Sequence, residues 1–369
     1  MDLVNSAPPS HGDAAPRHAP VDALDRFSRA VLSAAGADAA TTDAATRAMM
    51  HGSRLGVDSH GIRLLGHYAT VLTTGRVNPR PNMRITSKFA AIAALDGDHG
   101  HGALSTYKAM EHAVGLAGTL GLGAVAIRNS SHFGPAGAYA LAAAEAGCIG
   151  MTICNTDSLV RLHDGAAGFH GTNPIACAVP TGGARPWLLD MATSAVPFNR
   201  VLLNRSLGRM LPPGVASAAD GTDTEDSQQA TMLAPLGGAF GYKGAGLAGF
   251  VEILSAVLTG MTTSLDMVSM VGGDLTTPRR MGAFVLAIRP DAVIDAASFE
   301  GGMRRYLDTL LASPTRAGGT VLAPGDREWA EAARREVQGV PIDPKTEQAF
   351  HELSAQYGIA LPFAEPRTP

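Results

Sequence analysis

Cysteine is scarce in this chain. Its 369 residues carry three, Cys148, Cys154 and Cys177, with no C-x-x-C pair. That argues against a thiolate metal cage and predicts buried thiols in a reducing compartment. No basic neighbour in the local sequence activates Cys154 as a nucleophile. Nowhere do about 18 or more apolar residues run without interruption, so no transmembrane span is expected. The net charge is −4 and no Lys/Arg run forms a stripe, which gives no pull toward nucleic acid. Residues 1–20 are polar and proline-rich and lack the apolar core of a signal peptide. They read as a disordered tail, and the cytoplasm is the expected location. Aromatics make up only 5%, while glycine counts 43, which suggests close packing of helices and backbone and leaves room for a ligand.

What is present is a globular composition, 46% hydrophobic and 17% charged, on a chain too long for one ordinary core. Leu24, Phe27, Val31 and Leu32 recur at helical spacing, Gly36 ends that helix, and Thr41 or Thr42 is a candidate cap for the next. A short helix is expected over 64–72. From Met83 the pattern changes to strands at 83–85 and 90–95, then a helix at 103–120, a strand at 124–127, a helix at 135–146 and a strand at 149–153. Short strands follow at 174–179 and 187–189, a loop-like stretch at 212–229, a helix at 243–258 and a strand at 282–288. Helices at 299–311, 328–337 and 345–357 close the chain. This alternation predicts an α/β fold, a parallel or mixed sheet with flanking helices. The expected divisions are an N-terminal helical part at 21–82, an α/β core at 83–290 and a C-terminal helical part at 291–369 packing with the N-terminal helices.

Three signatures place proton-handling side chains beside small residues. In Val57-Asp58-Ser59-His60-Gly61 the imidazole suits proton transfer near neutral pH, and Arg63 nearby suits a substrate carboxylate. The competing reading is a helix-terminal Ser-His making capping bonds. Ser130-Ser131-His132-Phe133-Gly134 follows a strand and precedes a helix, where open α/β sheets bind ligands. A hydroxyl-capped helix start is the alternative. Gly171-Thr172-Asn173-Pro174 is followed by Leu189-Asp190-Met191-Ala192-Thr193-Ser194, whose carboxylate lies just past an apolar strand, placed to orient an imidazole or serine or merely to make a turn. Gly244-Ala245-Gly246-Leu247-Ala248-Gly249 matches G-x-G-x-x-G but sits within a helical pattern, without the strand a dinucleotide fingerprint requires, and reads as a close-packing helix face. Asp98-His99-Gly100-His101-Gly102 reads as a turn; no metal site is expected.

In this order, with Tyr242-Lys243-Gly244 and the apolar run 251–260 added, the signatures resemble the malate/L-lactate dehydrogenase family that is unrelated to the Rossmann-type enzymes. That family includes ureidoglycolate and sulfolactate dehydrogenases, diketogulonate reductase and Δ1-piperideine-2-carboxylate reductase. The resemblance spans about 22–341. It implies a non-Rossmann nucleotide-binding domain, NAD or NADP as cofactor, a homodimer, and hydride transfer to or from C2 of a 2-hydroxy or 2-oxo acid or a cyclic imine. Under it, His60 looks like the general acid/base, supported by Ser59 and Asp190, and His132 matches a histidine beside the nicotinamide that one branch assigns the proton transfer. Arg63 and Thr172 are then substrate-binding candidates. Cofactor-contacting candidates are His132, Phe133, Gly134, Thr156, Asp190, Met191, Ala192, Lys243 and Gly244, with Arg280, Met281 and Gly282 as a further stretch. Many members carry an arginine four residues after the first histidine; here that position is Leu64, which leaves the substrate-carboxylate contact open. Arg200 likewise stands where many members have lysine. A 2-hydroxy-acid dehydrogenase, a cyclic ketimine reductase and a non-catalytic nucleotide-binding protein are the readings carried forward.

Overall fold

The computed structural model describes residues 17–183 and 185–364. Strand β1, Arg17–Ala19, lies inside the stretch read as a tail, so that reading is corrected for these residues; residues 1–16 lie outside the described part. Helices α1, Val21–Ala34, and α2, Ala39–Arg54, follow. The cap of α2 is Asp38, whose carboxylate accepts the Thr41 N–H at 2.7 Å, and not Thr41 or Thr42, which are buried in the first turn. Two short 3₁₀ turns, Asp58–His60 and Ile62–Leu64, lead into α3, Leu65–Thr73.

The hairpin β2, Arg84–Phe89, and β3, Ile92–Asp96, opens the main sheet. After it come α4, Gly102–Leu120; β4, Leu122–Ser130; α5, Gly137–Glu145; and β5, Ile149–Cys154. Short strands β6, Val160–Arg161, and β7, Gly168–His170, precede β8, Ile175–Val179, and β9, Trp187–Met191. Helix α6, Phe198–Ser206, strands β10, Ala216–Ser217, and β11, Met232–Leu233, helix α7, Tyr242–Glu252, and strand β12, Met281–Ile288, complete the middle of the chain. The last elements are α8, Ala296–Leu311; α9, Asp326–Gln338; β13, Val340–Ile342; and α10, Pro344–Tyr357. Helix α6 and the short strands have no counterpart in the sequence reading: the strands are too brief to show a period, and α6 buries only Val201, which leaves it no apolar face.

Seven strands form one sheet in the order β2-β3-β4-β12-β5-β8-β9. It is mixed, with β3 and β4 the one parallel pair and the other neighbours antiparallel. Strand β12 slots between β4 and β5 and runs against both, so β4 and β5 still point the same way. Their carboxyl ends therefore share one edge, as they would in a parallel sheet. A smaller sheet, β10-β11-β6-β7, lies beside it.

The two largest of four buried clusters hold most of these layers. Val125, Ile127 and Val285 of the sheet pack with Ala109, Met110 and Ala113 of α4 and Tyr139 and Ala143 of α5. The facing alanines let the helices approach the strands closely, which accounts for a fold poor in aromatics. The second core joins Leu24, Phe27, Met49 and Tyr68 to Val340, Phe350 and Leu353. Strand β1 pairs with β13, and the Phe27 and Phe350 rings lie 5.0 Å apart, so the two chain ends close on each other. Among the described residues no helix is long and apolar enough to cross a membrane.

Candidate active site

One row of the sheet sets the site. Ser130 faces Met281, Ala283 faces Cys154, Ile153 faces Ile175, and Ile175 faces Met191. The second and third signatures and the 279–282 stretch thus leave five strands at one edge. Asp190 lies within β9, not just after it as the sequence suggested.

His60 arrives from the N-terminal helices. Its turn is clamped by Arg335 of α9, which donates to both Asp58 carboxylate oxygens at 2.5 and 2.9 Å and to the Ser53 carbonyl at 2.7 Å. The turn also sits tight on α2: a Cβ at Gly61 would meet Ser53 Oγ at 2.5 Å. These contacts bring the His60 ring to 5.8 Å from that of His132, with the planes 19° from parallel. On His60, Nδ1 shares a hydrogen bond with Ser59 Oγ at 2.8 Å. On His132, Nδ1 bonds the Tyr68 hydroxyl at 2.8 Å and receives the Gly134 N–H at 3.4 Å. Gly134 holds φ +78°, a left-handed turn that suits glycine, and this aims its N–H back at the ring. Neither Nε2 has a hydrogen-bond partner among the described residues.

Burial pulls the His60 pKa below the usual imidazole value. His132 is driven well below it, first by burial and then by the charges that His60, Arg279, His67 and His101 would carry. Both rings are therefore neutral at neutral pH, with lone pairs available for protons or donors. Neutral His60 has a lone pair that can accept a proton, although burial disfavours the imidazolium that results.

Asp190 makes no hydrogen bond to His60 or Ser59 among the described residues. Its Oδ2 accepts the Gly137 N–H at 2.8 Å, at the start of α5. Desolvation raises its pKa to about 6, against the lowering effect of that N–H, with Glu328 adding a smaller upward push. Thr156 and Thr172 interlock: the Thr172 N–H donates to Thr156 Oγ1 at 2.9 Å, and the Thr172 carbonyl takes the Thr193 N–H at 2.9 Å. Met191 and Ala192 are half-buried on the same edge. Phe133 is buried under the Tyr139 ring.

Helix α7 is tied to this edge by Glu252, whose buried carboxylate accepts from Asn173 Nδ2 at 2.9 Å, Ser264 N at 2.7 Å and Ser264 Oγ at 2.6 Å. Lys243 is exposed near its start, 5.4 Å from the Phe240 ring centre. The G-x-G-x-x-G match does fall inside a helix. Only Gly244 packs tightly there, against the Leu236 backbone, while Gly246 faces open space, so the close-packing face is narrower than expected. Arg280 is exposed at φ +50°, and Met281 and Gly282 are buried beside it. Arg63 is exposed and makes no hydrogen bond or ion pair among the described residues. Arg200 lies exposed on α6.

Several side chains around the histidines escaped the sequence reading. Tyr68 packs edge-on against His101, 4.2 Å between centres, and His101 Nδ1 caps α4 by accepting the Ala103 N–H at 3.1 Å. Arg279 is buried and pairs with Asp157 at 2.6 Å. His67 is lowered to about 4 by burial and by Arg279 and Arg76. Only Tyr68 had a signal, on the first helix after His60.

The exposed cations Lys243 and Arg280 suit phosphates, and the half-buried Met191 and Ala192 suit the face of a flat ring, so these residues are compatible with a nicotinamide dinucleotide. Residues 19–351 match the family model described as malate/L-lactate dehydrogenase. The malate dehydrogenase of Pyrococcus abyssi is 34% identical over 314 residues, spanning 82% of this chain and 85% of that protein. The solved sulfolactate dehydrogenase of Methanocaldococcus jannaschii is similar with a TM-score of 0.87 at 30% identity, covering 93% of this chain and 98% of the other. Δ1-Piperideine-2-carboxylate reductase of Pseudomonas syringae pvar. tomato gives 0.79 at 26% identity, covering 91% and 99%. Match and geometry agree, and the chain belongs to the malate/L-lactate dehydrogenase family.

Proposed function

We propose that this oxidoreductase transfers a hydride between NAD or NADP and C2 of a small 2-hydroxy or 2-oxo carboxylic acid. The observation carrying the reading is the pair of near-parallel imidazoles with open Nε2 atoms beside the edge where β4 and β5 end. The nicotinamide, when bound, supplies the hydride acceptor or donor. The chain handles the proton and the placement. His60 takes the hydroxyl proton at Nε2, and Ser59 steadies its other nitrogen. Thr156, Asp190, Met191, Ala192 and Lys243, with Gly244 behind it, and the 280–282 stretch would hold the cofactor. Thr172 and Arg63 would hold the substrate, Arg63 being the free cation nearest His60 in the chain.

The test is a panel of malate, lactate, sulfolactate and their 2-oxo forms with both cofactors, read by nicotinamide absorbance. Turnover of at least one acid supports the reading; none, despite cofactor binding, overturns it. A second reading, cyclic ketimine reduction, draws on the likeness to the piperideine-2-carboxylate reductase and on Leu64. Preferential NADPH oxidation by the cyclic imine would favour it.

A second copy of the chain fits the outer face of α7 and the π-helical turn Ile253–Val257 that continues it. Val251 and Ala256 are buried inward, while Phe250, Ile253, Val257 and Leu258 are each about half exposed or more outward. So large an uncovered apolar stripe is costly in a monomer. Phe250→Glu with Ile253→Glu should shift the sedimentation coefficient from dimer to monomer; a wild-type monomer would remove the proposal.

A further inference from the structure

The two imidazoles are anchored differently, and the anchors decide what each can do. Ser59 is half-buried, so its hydroxyl can donate to His60 Nδ1 or accept from it while water satisfies the rest. Either tautomer of His60 is open, and a lone pair at Nε2 is available.

His132 has no such freedom. The Gly134 backbone N–H can only donate, and it points at Nδ1. Tyr68 is 1% exposed, and among the described residues its hydroxyl has no hydrogen-bond partner other than that same Nδ1. Were Nδ1 protonated, the phenolic hydrogen would be buried with no acceptor and the Gly134 N–H would face another donor, both at a cost. The ring of Tyr68 is itself held edge-on by His101, whose Nδ1 is committed to the cap of α4. Because His101 Nδ1 accepts the Ala103 N–H, the ring's proton sits on Nε2, which therefore offers the phenol no lone pair.

We infer that Tyr68 is a positioning residue that locks His132 in the Nε2–H tautomer, so that His132 meets the ligand as a hydrogen-bond donor and leaves proton abstraction to His60. This rests on the dehydrogenase reading for its catalytic meaning, but the tautomer is a property of the free protein. In alcohol oxidation the substrate O–H bond breaks and its proton goes to His60 Nε2, while the C2–H bond breaks and its hydride would go to the oxidised nicotinamide, leaving a C2=O bond. His132 keeps its own proton throughout and binds oxygen, not hydrogen.

The test uses the full chain with ring-¹⁵N histidine, without ligand, assigning His132 by difference from His132→Gln. Wild type should show Nε2 protonated and Nδ1 bare. Tyr68→Phe should release the lock and give a mixture of both tautomers. Wild-type His132 with its proton on Nδ1, or a Tyr68→Phe spectrum identical to wild type, overturns the inference. In turnover assays Tyr68→Phe should raise KM about tenfold, the worth of one hydrogen bond, and leave the acid limb of the kcat/KM profile in place. Loss of that limb in Tyr68→Phe would instead make His132 the base and overturn the assignment. Should wild type turn over no acid or imine, the dehydrogenase reading fails while the spectra still decide the tautomer.

Discussion

His60 and His132 sit side by side yet are built in opposite ways. His60 leans on its chain neighbour, Ser59. His132 leans on Tyr68, 64 residues away, and on a glycine turn. A local hydroxyl leaves a ring adaptable, whereas a buried phenol and a backbone N–H fix it. Two copies of one side chain thereby acquire different chemistry from their surroundings, not from themselves.

The sharpest way to break this contrast is at the rings. His60→Ala should lower kcat by about 10²-fold or more, as expected for a lost acid/base group. His132→Ala should cost about tenfold to a hundredfold in kcat/KM, while His132→Gln, whose amide still donates, should recover part of it. Equal losses in both His132 variants would remove the donor role. Both are read from steady-state kinetics.

Gly137→Ala probes the floor between the two regions. The added Cβ would lie 2.8 Å from Asp190 Oδ2 and push the carboxylate off its backbone N–H. A loss of about 1–3 kcal/mol in urea unfolding is expected, with weakened cofactor binding in fluorescence titration. Ser59→Ala should be milder, about threefold to tenfold in kcat, because a local hydroxyl can be replaced by water.

The smallest effect is in stability against pH. His51 and His67 are pushed to about 4, and His101 to about 3, chiefly by burial, from an ordinary 6.5. The folded chain therefore binds fewer protons than the unfolded one below 6.5, and stability drops as pH falls from there toward 4. Asp190 works the other way. Its pKa of about 6 exceeds the ordinary 3.8, so its contribution is present at low pH and lost as pH rises through 6. Asp190→Asn should thus raise Tm more at about pH 7.5 than at about pH 4.5, by calorimetry; the reverse order would contradict the raised pKa.

Much of this site was legible where its contacts are local. The Ser59–His60 pair, the glycine turn after His132 and the helix at 102–120 follow from neighbours in the chain. The partners that define them do not. Tyr68–His132, Asp157–Arg279 and Asp58–Arg335 span 64, 122 and 277 residues, and periodicity carries no information at those separations. The intruding β12 was foreseen as a strand, but its place between β4 and β5 depends on pairing, which a pattern of apolar residues does not specify. Asp190 shows the same limit: its strand is legible, but the Gly137 N–H that its Oδ2 accepts lies 53 residues away.

The late arrival of β12 has a consequence for synthesis. Until residue 288 leaves the ribosome, β4 and β5 have unmatched inner edges and the main sheet is split in two. Arg335 comes later still, so the loop carrying the first histidine rests on α2 alone, without its arginine clamp, while most of the enzyme is already made. Nascent chains stopped before residue 281 should be protease-sensitive and prone to sticking at those bare edges, which makes the final quarter of translation the step at which a dependable fold is won.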